Sequence, residues 1–327
     1  MLDRRRFLQA GAGLAAAAGL APWSTAQAAN DKVTFVSWGG TTQDAQDAAW
    51  GKPFTAATKI PVVDDGPTDY GKFRAMVESG NVMWDVVDVE GHYAFRFAKL
   101  GLVEPIDFSI VKREGLDPRL TFDHGVGSFM SSYVLAWNKA FVTGELTSWA
   151  DLFDLKKFPG KRAVYKWASE GALEMALLAD GVKPADLYPL DLDRAFAKFD
   201  TIKSEIVWWG SGAQSQQLIA SGEAPIGMFW NGRLYAMQKD GLDSLGICWH
   251  QHIPGPDMLI VPKGAPNKEA AMKFIAEAVS ARGQATFSND TAYAPINKDA
   301  IPLLKPDMLP VMPFTHAADE VPLGLEY

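Results

Sequence analysis

Four short segments hold the side chains best suited to chemistry: Ser37-Trp38-Gly39-Gly40, Glu90-Gly91-His92-Tyr93, Trp208-Trp209-Gly210-Ser211-Gly212 and Trp230-Asn231-Gly232-Arg233. Glycine lets a ligand approach the backbone closely. A tryptophan beside it offers an apolar wall and a π-face for a cation. Arg233 offers a planar fork that fits a carboxylate. This chemistry suits recognition of a small polar molecule. Reaction machinery is harder to find. No His-Glu-x-x-His zinc motif occurs, and neither Ser128 nor Ser211 sits in a Gly-x-Ser-x-Gly elbow. Gly39-Gly40 lacks the spacing of a phosphate loop or dinucleotide fingerprint. His250 and His252, two apart, would share one face of a strand and read as a surface pair instead of a metal site. The single cysteine, Cys248, lies in an apolar run and reads as inert core, with no internal disulfide open to it.

Stepping along the chain, periodicity supplies the elements that must position these groups. Val33 to Trp38 reads as a strand stopped by Gly39-Gly40. A helix follows with Trp50, Phe54 and Ala57 on one face and Pro53 placed to kink it. Ile60–Val63 is a second strand, Phe73, Met76 and Val77 mark a helix closed by Gly80, and Asp85–Val89 is a third strand. Tyr93, Phe97 and Leu100 form a helical stripe with Gly101 at its C-cap. The alternation restarts at Ser132–Trp137. Leu173, Ala176 and Leu177 share a helix closed by Gly181, and another opens near Asp191 with Leu192, Ala195, Phe196 and Phe199 as its buried face. Strands at Ile206–Trp209 and Ala224–Trp230, a helix ending at Gly241, a strand at Asp257–Val261 and a helix capped by Asn267 complete the pattern. Repeated β-α-β units predict an α/β fold with an open parallel sheet covered on both faces. Ligands of such sheets bind beyond the carboxyl ends of the strands, where helix N-termini offer free N–H groups. The four segments fall at those ends.

Composition narrows the class. The chain has 327 residues and a formal net charge of −8, with 11 tryptophans. Arg4-Arg5-Arg6-Phe7-Leu8, an apolar stretch from Ala10 to Leu20 and the small-residue pattern Ala26-Gln27-Ala28 describe a secretory signal at residues 1–28, in the order of a twin-arginine signal. Its removal leaves the remainder more acidic still. Such a chain is a poor partner for nucleic acid or an anionic membrane surface. No later apolar run approaches the roughly 18 residues that span a bilayer, so a soluble exported protein is expected.

Longer stretches carry a resemblance. Ser215-Gln-Gln-Leu-Ile-Ala-Ser-Gly-Glu223, Met228-Phe-Trp-Asn-Gly232, Asp257-Met-Leu-Ile-Val-Pro-Lys-Gly264, Asn267-Lys-Glu-Ala-Ala271 and Tyr293-Ala-Pro-Ile-Asn297 follow one another as in the spermidine/putrescine-binding proteins of ABC importers, and Ser37-Trp38-Gly39-Gly40 resembles the first ligand loop of that group. The resemblance implies a type II periplasmic-binding fold whose two lobes close on ligand by a hinge. It implies crossing strands near Tyr133 and Asp257, with residues 31–133 and 258–300 in one lobe and 134–257 and 301–327 in the other. It further implies a membrane permease and its ATPase as partners; a monomer without a cofactor is expected. By the same resemblance Trp38 and Trp230 are aromatic walls, Tyr293 lines the cleft, Asp257 pairs with a ligand ammonium, and His92 or Tyr93 stands where the family places a tyrosine. Gly39, Gly40, Trp209 and Ser211 join them as candidates from their place at strand ends.

The departures from that family redirect the ligand. Trp167-Ala-Ser-Glu-Gly171 stands where polyamine binders carry a second acid cluster, leaving Glu170 there, and Gly255 replaces an aromatic two residues before Asp257. Arg233 adds a positive charge that a polycation would find unfavourable. An amine held by Asp257 and a carboxylate held by Arg233 describe a zwitterion such as 4-aminobutyrate; the alternative is that the two side chains pair with each other or with solvent. A ferric-ion or thiamine binder on the same fold and an exported enzyme also stay open at this stage.

Overall fold

Nine strands form one continuous sheet in the order β2-β1-β3-β9-β5-β8-β6-β7, with β4 beside β5. The computed structural model describes residues 31–167, 171–322 and 324. The signal read at residues 1–28, Glu170, and the chain end at residues 325–327 lie outside them. The strands are β1 Val33–Val36, β2 Val62–Asp65, β3 Val86–Glu90, β4 Thr121–Phe122, β5 Gly125–Asn138, β6 Arg162–Tyr165, β7 Ile206–Trp209, β8 Ile226–Trp230 and β9 Leu245–Ile260. Helices α1 Gly40–Gln46, α2 Lys52–Thr58, α3 Tyr70–Ser79 and α4 Gly91–Lys99 flank the first strands. Then come α5 Trp149–Phe153, α6 Ala172–Ala179, α7 Leu192–Asp200, α8 Gly212–Ser221, α9 Asn231–Lys239, α10 Lys268–Ala278 and α11 Ala281–Thr291.

The sheet is mixed, not all parallel as the β-α-β pattern predicts. Parallel pairing holds within each half, β2-β1-β3 on one side and β8-β6-β7 on the other. Between them β5 and β9 run antiparallel, paired from Val126↔Leu259 to Asn138↔Leu245. One strand carries the chain out of the first half and the other brings it back, so the two must point in opposite directions. Local periodicity cannot show this. The alternation also hides the length of β9, which begins at Leu245 and reaches Asp257 only near its far end.

β1 and β3 are buried along their whole length, as strands covered on both faces must be. Trp50, Phe54, Phe274 and Phe287 pack around Phe35, with ring centroids 5.0 Å apart for Phe35–Phe274 and 4.9 Å for Trp50–Phe287. The buried Asp85 carboxylate accepts from Thr34 N, Asn267 N and Asn267 Nδ2, pinning the start of α10 to the sheet. Asn267 therefore stands at the N-cap, but its side chain serves Asp85 instead of its own helix. Pro53, which lacks an N–H, follows a π-helical turn at Asp47–Gly51, and that widened turn joins α1 to α2 where a kink is expected.

Two further expectations change. On α7 only Ala195 and Phe199 are buried, while Leu192 and Phe196 are 50% and 54% exposed. Helical spacing identifies one apolar stripe but not how far the neighbouring elements cover it. His250 and His252 do not share a face either. Between them Gln251 adopts a left-handed φ of 56°, and the β5–β9 register shifts there. His250 is exposed beside Asp319, whereas His252 is buried between Ser132 Oγ and the His316 carbonyl. Cys248 is half-buried, and burial pushes its thiol pKa up, which favours the unreactive protonated form.

Candidate functional site

Because strands are parallel within each half, the carboxyl ends of β1 and β3 open to one place, and those of β6, β7 and β8 face them from the other half. The crossing strands form the floor. Phe129, Ser131 and Tyr133 alternate on one face of β5, and Asp257 on β9 stands in register with both Glu90 and Phe129. The cavity so formed is narrow and is lined by Trp38, Thr42, Glu90, Phe129, Ser131, Tyr133, Trp230, Arg233, Gly255, Asp257 and Tyr293.

Its walls are aromatic. The Trp38 and Trp230 centroids lie 6.2 Å apart, Tyr165 and Trp209 pack on Trp230 at 5.2 and 4.9 Å, and Tyr293 stacks on Phe129 at 4.8 Å. Gly255 leaves the floor open. A Cβ there would meet Ser131 Oγ at 2.7 Å and the Tyr133 ring at 2.9 Å.

One end of the cavity is acidic. Glu90 accepts from Tyr70 Oη at 2.6 Å and from Tyr165 Oη, reaching across from β6, at 2.9 Å. Burial nevertheless raises its pKa to about 7. Asp88 lies behind it, with Oδ2 held by Ser37, Gln46 and Ser128 and Oδ1 left without a partner; burial raises its pKa to about 7 as well. Asp257 is raised well above the usual carboxylate range by burial, then by the charges of Asp88 and Glu90. The Trp38 indole N–H faces it and lowers it somewhat, but that N–H falls short of a formed hydrogen bond and has no partner. Three buried carboxyls thus stand together, and none forms an ion pair among the described residues. A desolvated site of this kind favours an incoming ammonium over its own ionised apo state.

The other end carries Arg233, only 2% exposed, in the first turn of α9. Its two terminal nitrogens donate to Thr41 Oγ1 at 2.8 Å and to the Gly39 carbonyl at 3.0 Å, while Nε has no partner among the described residues. Burial lowers its pKa, and the Tyr293 phenol facing it raises it. Tyr293 feels both ends. Burial pushes it to about 12, Arg233 pulls it down, and Asp257 pushes it up. Among the described residues no ion pair joins Arg233 to Asp257, although both line the cavity and both act on Tyr293.

A family model described as bacterial extracellular solute-binding protein matches residues 49–310. This chain is a bacterial extracellular solute-binding protein. The solved GABA receptor Atu4243 is 53% identical to it and superposes with a TM-score of 0.83 over 90% of this chain and 92% of the receptor. The gamma-aminobutyric acid-binding protein of Pseudomonas aeruginosa is 38% identical over 302 residues, 90% of this chain and 85% of the relative. Spermidine/putrescine-binding periplasmic protein 1 of Haemophilus influenzae is 27% identical over 263 residues, 76% of this chain and 70% of the relative.

Of the candidates read from the sequence of this solute-binding protein, Trp38, Glu90, Trp230, Arg233, Asp257 and Tyr293 line one cavity. Gly39 supplies a carbonyl to Arg233, while Gly40 and Ser211 line an adjoining groove with Trp38. Trp209 stands behind the wall, its indole N–H on the Met228 carbonyl at 3.2 Å. Tyr93 stacks on Tyr70 at 3.5 Å, one layer from Glu90, and His92 lies beside Tyr93, its pKa lowered to about 4 by burial. Neither lines the cavity. Glu170 lies outside the described residues. Missing from the sequence-based set are Gly255, which the sequence marks only as a departure from the family, and Thr42, Phe129, Ser131 and Tyr133. The last three share the period-2 face of a strand, a signal readable once β5 is extended back from Ser132 to Gly125.

Tyr165, also unforeseen, links the halves through Glu90. Tyr165→Phe removes one of that carboxylate's two phenolic donors, and a hydrogen bond to a charged group is worth about 1.5–3 kcal/mol. Binding calorimetry is expected to show a loss of roughly tenfold or more with the fold retained, and unchanged affinity would mean that this bond is absent from the ligand-bound state.

Proposed function

We propose that this solute-binding protein is the periplasmic receptor of an ABC importer and captures a small zwitterion of the 4-aminobutyrate type between its lobes. The carrying observation is the bipolar cavity, with Asp257 and Glu90 at one end and a buried Arg233 with a spare Nε donor at the other. The names of the GABA receptor and the gamma-aminobutyric acid-binding protein support this ligand class. A polyamine would satisfy the acids but would bring a second ammonium against a buried guanidinium, which costs affinity at low dielectric.

In this reading Trp38 and Trp230 are the walls, Tyr293 bridges the poles, and residues 31–133 with 258–300 close against 134–257 with 301–327. Residues 1–28 direct export through a twin-arginine route. A monomer delivers its cargo unchanged to a permease driven by an ATPase. Thermal unfolding with added 4-aminobutyrate tests the class. Ligand at a hundredfold excess over Kd stabilises the native state by about 2.7 kcal/mol. Recovering the ligand unaltered after incubation is the expected accompaniment, and its chemical conversion would overturn the receptor reading.

A further inference from the structure

The guanidinium of Arg233 is positioned by three residues that need not touch ligand themselves. Gly39 adopts φ 67° and ψ 176°, a conformation open essentially only to glycine, and from it the Gly39 carbonyl meets one terminal nitrogen of Arg233. Thr41 Oγ1 accepts from the other. Gly212, the first residue of α8, supplies clearance. A Cβ there would lie 2.2 Å from Arg233 Nε, 2.5 Å from Cζ and 2.8 Å from the second terminal nitrogen. No side chain larger than hydrogen fits while the guanidinium keeps its place. Gly39 and Thr41 follow β1, and Gly212 follows β7, so the socket is assembled from both halves of the sheet.

We propose that Gly39, Thr41 and Gly212 form a positioning socket that makes the receptor selective for a ligand carboxylate. This rests on the zwitterion reading above. The socket takes one N–H from each terminal nitrogen of Arg233, and among the described residues Nε has no partner, on a side chain that lines the cavity. Opening the socket frees the fork to turn elsewhere; filling it with a methyl group displaces the fork. Either change weakens recognition of the anionic end and leaves the Asp257 end in place. Gly212 carries no positive φ, so alanine is compatible with its backbone, and Thr41 is exposed, so both variants are expected to fold.

The test is calorimetric titration of the mature protein with 4-aminobutyrate and with its neutral amide, 4-aminobutanamide, for the wild type, Gly212→Ala, Thr41→Val and Thr41→Ser, with melting curves to confirm folding. The socket predicts at least a tenfold loss of 4-aminobutyrate affinity in Gly212→Ala and Thr41→Val, near-wild-type binding in Thr41→Ser, and amide binding changed by no more than about twofold. Retention of wild-type 4-aminobutyrate affinity by Gly212→Ala and Thr41→Val would overturn the socket, as would an equal loss for acid and amide or a failure of Thr41→Ser to restore binding. Failure of the wild type to bind 4-aminobutyrate at all would instead strike the zwitterion reading on which the socket rests.

Discussion

Arg233→Ala is expected to abolish 4-aminobutyrate binding while sparing, or improving, any weak binding of putrescine. The guanidinium is buried, and its loss leaves the carboxylate of a zwitterion desolvated without a counter-charge. Removing one member of such a pair costs about 2–5 kcal/mol or more, which is roughly thirtyfold to several-thousandfold in affinity. A diamine has no carboxylate to lose and gains from the removal of a like charge. Arg233→Lys keeps the charge but cannot hold Thr41 and Gly39 together in one planar fork, so it should fall between the two. Calorimetry on folded variants reads these outcomes directly. An equal loss for amino acid and diamine would show that Arg233 serves closure of the lobes and not recognition of the ligand's acid.

The opposite pole should behave as a proton-linked site. Glu90 and Asp88 have folded pKa values near 7, against ordinary values of 4.5 and 3.8, because burial disfavours their ionised forms, and Asp257 is raised by burial and by those two neighbours. A carboxyl raised on folding binds protons more tightly in the native state. In the ligand-free receptor these groups therefore cost nothing below the unfolded pKa values, and stability falls as pH rises from about 4 to about 7. For Glu90 the span from 4.5 to about 7 corresponds to a penalty on the order of 3 kcal/mol. An ammonium ligand favours the ionised forms and offsets that penalty. Binding near pH 6.5 should then release protons, visible as a dependence of the observed enthalpy on the ionisation enthalpy of the buffer, and ligand-induced stabilisation should grow between pH 5 and 8. Asp257→Asn fixes one group in a neutral form. It should raise the melting temperature of the ligand-free protein at pH 8 while weakening ligand binding at least thirtyfold, by the same 2–5 kcal/mol argument. Equal enthalpies in all buffers, or a lower melting temperature for Asp257→Asn, would count against an ionisable ammonium site.

Much of the cavity is legible in the sequence because its residues stand at abrupt strand-to-helix junctions. Trp38, Glu90 and Trp230 each mark the last turn-out of a strand, and glycine or asparagine next to them signals the change of direction. Asp257 is readable only through the family resemblance, and Arg233 through its place directly after Trp230-Asn231-Gly232 at a strand end. The signal weakens where a side chain's neighbour comes from far along the chain. Tyr165 ends an ordinary four-residue strand, and only the tertiary fold brings its hydroxyl to Glu90, 75 positions away. Thr41 reads as a solvent-facing helix residue until Arg233, 192 positions on, reaches it. The mixed sheet is hidden for the same reason: β5 and β9 look like one strand each, and their antiparallel crossing is a property of the pair. Gln251 explains the failed histidine pattern, since a single left-handed residue inside a strand shifts which face its neighbours occupy and nothing in its type requires that conformation.

Titrating the wild-type protein with 4-aminobutyrate, putrescine and spermidine under one buffer and salt condition tests the central claim most directly. The bipolar cavity predicts that 4-aminobutyrate binds at least tenfold more tightly than either polyamine, with one ligand per chain. A preference for putrescine or spermidine would contradict it and would assign the three carboxyls to a second ammonium, with Arg233 left as a bridge between the lobes.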